Sequence, residues 1–89
     1  MTYQVFLDPK AAKFLSRLSE QLRTRIKDAL GELQRSPETK GERLAASAFW
    51  RVRVGHYRAT YEIDRRGKKV IVLYIGHRST VYDDFSRLL

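Results

Sequence analysis

The sequence predicts a single α+β domain over residues 1–89: a small antiparallel β-sheet with an N-terminal helical hairpin packed on one face and a short C-terminal helix. Three observations predict it. Apolar residues alternate with period two near the start and across the second half, two stripes of helical period lie between, and 89 residues leave room for one core only.

Tyr3, Val5 and Leu7 alternate with Gln4 and Phe6, which marks a first strand. Asp8-Pro9 then reads as an N-cap followed by proline at the first helical position, where the missing N–H has no partner to lose. Phe14, Leu15 and Leu18 line one stripe, and Ser19 can cap a second helix whose stripe continues through Leu22, Ile26, Leu30 and Leu33. Ser36-Pro37 ends it, because a residue before proline is biased away from the helical basin. The polar, small-residue stretch from Pro37 to Ser47 reads as a surface connection.

The period then changes. Trp50, Val52 and Val54 alternate with Arg51 and Arg53, and Tyr57, Ala59, Tyr61 and Ile63 alternate with Arg58, Thr60 and Glu62. Only Gly55 and His56 separate the two runs, and glycine first suits a two-residue type II′ turn, whose first central residue needs positive φ. Asp64 to Lys68 makes another turn, and the apolar run Val70 to Ile75 predicts a strand covered on both faces or nearly so, at the centre of the sheet. Beyond Gly76, the spacing of Val81, Phe85 and Leu88 predicts the terminal helix.

Eighteen Lys and Arg against ten Asp and Glu give a net charge of +8, which favours a polyanionic partner. No cysteine is present, so disulfides, thiol nucleophiles and cysteine-ligated zinc are excluded. The N-terminus lacks a basic segment followed by a long apolar run, which predicts a cytoplasmic protein without membrane insertion. No glycine-rich phosphate loop or metal-ligand spacing occurs, and no cofactor or metal is expected.

The turn at Gly55-His56 sets a register in which Val54 faces Tyr57, Arg53 faces Arg58, Val52 faces Ala59 and Arg51 faces Thr60. Side chains alternate across a strand, so Arg51, Arg53 and Arg58 share the face away from the helices. Directly opposed arginines weaken a sheet unless an anion binds between them, and RNA phosphate is such an anion. Guanidinium is permanently charged and can hold two phosphate oxygens at once. Arg78 follows the last strand through Gly76-His77 and joins the candidate set. His56 reads as a turn residue and His77 as the candidate proton carrier. Tyr82 can stack on a base, whereas Trp50, Tyr57 and Tyr61 read as core-facing.

The segment Trp50 to Tyr61, WRVRVGHYRATY, with Val72 to Arg78 and Val81-Tyr82 downstream, resembles the RelE/ParE toxin superfamily over nearly the whole chain. The resemblance implies the RelE-like microbial RNase fold and the toxin of a type II toxin–antitoxin system. Its activity would be ribosome-dependent endonucleolytic cleavage of messenger RNA, by attack of a 2′-hydroxyl on the adjacent phosphorus. Carried over by motif position, the catalytic set is Arg51, Arg53, Arg58, Arg78 and Tyr82. The RelE-like pattern has lysines where Arg51 and Arg53 stand; arginine cannot serve as a base, which leaves His77 as the candidate. The implied partners are a cognate antitoxin and the ribosome with mRNA in its decoding site, with operator DNA bound only by the toxin–antitoxin complex. The alternative within the superfamily is a ParE-like inhibitor of DNA gyrase.

Overall fold

A computed structural model describes residues 2–77 of the chain. The predicted C-terminal helix, Arg78 and Tyr82 lie outside the described residues. Strand β1 (Gln4–Leu7) is followed by helices α1 (Pro9–Ser16) and α2 (Glu20–Glu32), a single helical turn α3 (Pro37–Lys40), and strands β2 (Glu42–Arg43), β3 (Phe49–Val54), β4 (Tyr57–Asp64) and β5 (Lys69–His77).

The helices start where the capping residues place them. The Asp8 carboxylate accepts from the Lys10 backbone N–H at 3.1 Å with Pro9 in the first turn, and the Ser19 hydroxyl accepts from Leu22 N–H at 3.4 Å. Each bond satisfies a donor that a helix start otherwise leaves open. Asp8→Ala is accordingly expected to lower unfolding free energy by about 1 kcal/mol in urea denaturation, and an unchanged midpoint would show the cap idle.

The five strands order as β1-β5-β4-β3-β2. The β5 strand, expected at the centre, lies second from the edge between β1 and β4, and β4 is the central strand. The expectation of an antiparallel sheet holds for β2 through β5 and fails for β1, which pairs with β5 in parallel, Gln4 opposite Lys69 through Leu7 opposite Val72. The cause is topological: the helices carry the chain from β1 to β2 at the far edge of the sheet, and the antiparallel run β2-β3-β4-β5 returns it so that β5 lies beside β1 in the same direction. The stretch read as a plain surface connection also holds α3 and the two-residue β2, which pairs Glu42 with Arg51 and Arg43 with Trp50. Elements this short carry no periodicity.

One face of the sheet packs against the helices. Ala11 and Leu15 of α1, Ile26 and Leu30 of α2, and Leu33 just beyond it meet Val52, Ala59, Tyr61, Val70, Val72 and Ile75. Tyr61 is fully buried and donates from its hydroxyl to the Pro37 carbonyl at 2.5 Å, which pins α3 beneath the sheet. Burial pushes its phenol up to about 12, so it remains a donor throughout the neutral range. Trp50 stacks on Tyr61, ring centroids 6.4 Å apart, and Tyr57 packs edge-on to Phe14 at 6.2 Å, so all three aromatics serve the core as expected.

A β-bulge interrupts the β4–β5 ladder. Thr60 pairs with Tyr74 but Tyr61 pairs with Val72, so Leu73 is an extra residue in β5. It inverts the alternation downstream: Val70, Val72 and Ile75 all reach the core despite the step of three between the last two.

Candidate functional site

The β3–β4 hairpin carries the site, and its register is the one the two-residue turn dictates: Val54 with Tyr57, Arg53 with Arg58, Val52 with Ala59, Arg51 with Thr60. Gly55 has φ +60° and His56 does not share a positive φ, the combination of a type II′ turn. Arg51, Arg53 and Arg58 therefore stand together on the face opposite the helices.

Their surroundings differ. Arg53 is exposed and has no hydrogen-bond or ion-pair partner among the described residues. Arg58 is half-buried, and its Nη1 donates to the carbonyls of Gly55 at 3.2 Å and Tyr57 at 3.0 Å, so the side chain is steered along the hairpin tip. Arg51 reaches the neighbouring strand, where its Nη2 lies 2.8 Å from Oε2 of Glu42, while its Nε is buried without a hydrogen-bond partner among the described residues.

Glu42 is the residue that the sequence did not bring forward. Its carboxyl is held below the usual value of 4.5, first by the hydrogen bond from Arg51, then by the charges of Arg51, Arg53 and, more weakly, Arg58. Of the three guanidiniums only that of Arg51 contacts this carboxylate, and the other two act on it as charges on the same face. The only signal in the sequence was a lone glutamate after Gly41, and its position depends on the pairing of β2 with β3.

His77 does not join this cluster. Strict alternation from Val70 would turn it toward the arginines, but the extra residue Leu73 turns it to the helix side, where it pairs with Tyr57 at a ring separation of 5.7 Å. There its imidazole lies near-parallel to that of His56, centroids 6.2 Å apart. Arg78 and Tyr82 lie outside the described residues. Among the described residues no group of histidine and acidic side chains could hold a metal ion, and no helix is long and apolar enough to cross a membrane.

A helical hairpin backing a five-stranded sheet whose other face carries three guanidiniums, one of them paired to a carboxylate, defines a small basic α+β domain suited to holding a polyanion. The family model describing the ParE toxin of the type II toxin–antitoxin system parDE matches residues 5–82, and the chain belongs to the RelE/ParE toxin superfamily of type II toxin–antitoxin systems.

Solved structures agree in fold. The toxin in the RelBE2 toxin–antitoxin complex of Mycobacterium tuberculosis is similar at 27% identity, covering 88% of this chain and 100% of that one with a TM-score of 0.78. A double arginine-to-alanine variant of the Escherichia coli toxin RelE in the free state is similar at 26% identity, covering 100% of both chains with a TM-score of 0.78. The RelB-RelE antitoxin–toxin complex of Methanococcus jannaschii gives 27% identity, coverage of 90% and 98%, and a TM-score of 0.70. Comparison with curated protein sequences returns no match.

Proposed function

We propose that this toxin is a ribosome-dependent endoribonuclease that cuts messenger RNA on the arginine face of its sheet. The observation that carries the reading is the placement of Arg51, Arg53 and Arg58 on one face of the β3–β4 hairpin, with Glu42 paired to Arg51 beside them. Three fixed cations on one hairpin suit a phosphodiester whose charge grows toward a dianionic transition state. A carboxylate beside them supplies what arginines cannot, an acceptor for the 2′-hydroxyl proton.

In this mechanism the 2′ oxygen attacks phosphorus, the bond to the 5′ oxygen breaks as solvent water protonates that oxygen, and the products are a 2′,3′-cyclic phosphate and a 5′-hydroxyl. Glu42 takes the 2′-hydroxyl proton. Incoming phosphate draws Arg51 off Glu42, and losing that cation makes the carboxylate a stronger base at the moment it is needed. Arg51 has reason to move, since a buried donor without an acceptor costs about 1–3 kcal/mol and a rotation that offers Nε to a phosphate oxygen removes the cost. Arg78 supports the scissile phosphate or the leaving oxygen, and Tyr82 orients or stacks the substrate base. The site lacks a matched acid–base pair, so it depends on the ribosome to hold the RNA in line.

Primer extension on translating ribosomes tests the reading; growth arrest without cuts in the decoding-site codon would remove it. Glu42→Gln should slow single-turnover cleavage by about 10²-fold while leaving mRNA-dependent binding intact or tighter, because a repelling charge is gone. The pH profile has a definite sign. Glu42 acts as the ion and its carboxyl is held low, so kcat/KM is retained above the usual carboxylate value and falls only below it. The profile should therefore be flat from neutrality down to about pH 5.5, whereas an acid limb centred near about pH 6.5 would assign the base to a histidine instead.

The matching family model favours a second reading, inhibition of DNA gyrase as a ParE-type toxin. A supercoiling assay with purified gyrase separates the two. In either case the complexes of similar toxins with their antitoxins support a cognate antitoxin as partner.

A further inference from the structure

On the helix side of the Gly55-His56 turn lies a cavity of about 300 Å³ lined by Leu22, Arg25, Ile26, Val54, His56 and Tyr57, together with Gly55 itself. Its walls combine aliphatic side chains with a guanidinium and an imidazole. Arg25 is exposed and has no hydrogen-bond or ion-pair partner among the described residues. Its guanidinium packs over Gly55, so close that a Cβ there would lie 3.5 Å from Nη2. His56, on the other wall, ends a column of rings that runs from Phe14 through Tyr57 and His77, with successive centroids 6.2, 5.7 and 6.2 Å apart.

The cavity and the arginine face meet at the hairpin tip, at Gly55. Arg58 donates to the carbonyl of Gly55 from one side of the turn while Arg25 packs on the same glycine from the other. A chain of phosphates held between Arg53 and Arg58 therefore meets further cationic surface when it rounds the hairpin tip. Helix α2 supplies a cation there without a compensating carboxylate, and the aliphatic floor and terminal imidazole offer a base something to pack against.

We propose that this cavity is a second nucleotide subsite, which takes the base of a nucleotide flanking the cut on Leu22, Ile26 and His56 and its phosphate on Arg25. It rests on the reading that the arginine face holds RNA. The subsite has no part in bond breaking. It extends the footprint along the strand, and base stacking of this kind multiplies affinity by about tenfold or more.

The test uses the whole toxin and fluorescein-labelled RNA carrying 2′-O-methyl groups, which blocks cleavage, in lengths of about two and about five nucleotides. Fluorescence anisotropy should show the longer RNA binding about tenfold tighter to the native protein. In the variant Arg25→Gln/His56→Gln that gain disappears and the affinity for the dinucleotide stays as it was. A gain that survives in the variant overturns the subsite and leaves the arginine face in place. If Arg53→Ala/Arg58→Ala keeps native affinity for the dinucleotide, the RNA reading itself fails. Where the dinucleotide binds too weakly to measure, uridine monophosphate at tens of millimolar is titrated against the imidazole C–H resonances. Those of His56 should move in the native protein and stay still in Arg25→Gln, and stationary His56 resonances in the native protein overturn the proposal.

Discussion

Arg53→Thr is expected to make the domain more stable and less active at once. Arg53 stands directly across the ladder from Arg58, and like charges so placed cost a sheet about 0.2–1 kcal/mol. Arg53 makes no hydrogen bond or ion pair among the described residues, its attraction to the exposed Glu42 acts through solvent, and threonine suits an exposed strand position at least as well. Urea denaturation should therefore show a midpoint shifted upward with an unchanged slope. Cleavage on programmed ribosomes should fall by about 10²–10³-fold, the usual cost of removing one preorganised charge donor from a transition state. The joint outcome is what discriminates: a variant that is destabilised, or that cuts at the native rate, would mean that the opposed pair is not kept for an anion.

The second large effect is expected at Gly41. Its backbone is extended, φ −115° and ψ 179°, a conformation open to any residue, so conformational freedom does not explain the glycine. Space does. A Cβ at this position would run into the Tyr61 hydroxyl and approach the Arg51 carbonyl oxygen to 2.8 Å, and that carbonyl belongs to a paired strand. Gly41→Ala should cost about 1–3 kcal/mol by overpacking, seen as a fall in Tm of roughly 5–20 °C for a domain of this size. It should also displace Glu42, the next residue, and slow cleavage by more than the loss of folded protein explains. Adding Tyr61→Phe removes the nearest obstacle, and part of the lost Tm should return even though the Pro37 carbonyl loses its donor. An unchanged Tm in Gly41→Ala would show that β2 lies away from Tyr61 in solution.

The hairpin was legible in the sequence because everything that sets it is local. A two-residue turn with glycine first admits one register, and that register alone groups Arg51, Arg53 and Arg58. The helices were legible for the same reason, since Asp8 and Ser19 act on residues within three positions. What escaped depends on distant pairing. The parallel partnership of β1 with β5 joins segments from opposite ends of the described chain, and nothing in either segment names the other. Glu42 enters the site through a two-residue strand too short to show a period. The face of His77 was inverted by Leu73, an extra residue inside a uniformly apolar run where any register looks equally good.

The parallel pairing at the sheet's end also fixes when the molecule can exist. During synthesis β1, the helices and the β3–β4 hairpin all leave the ribosome before the strand that joins them, and until then the first strand has no ladder to enter. Long-range closure of this kind is slow and must wait for the last segment. Until β5 has emerged, a nascent chain therefore carries its arginine hairpin without the scaffold that holds it.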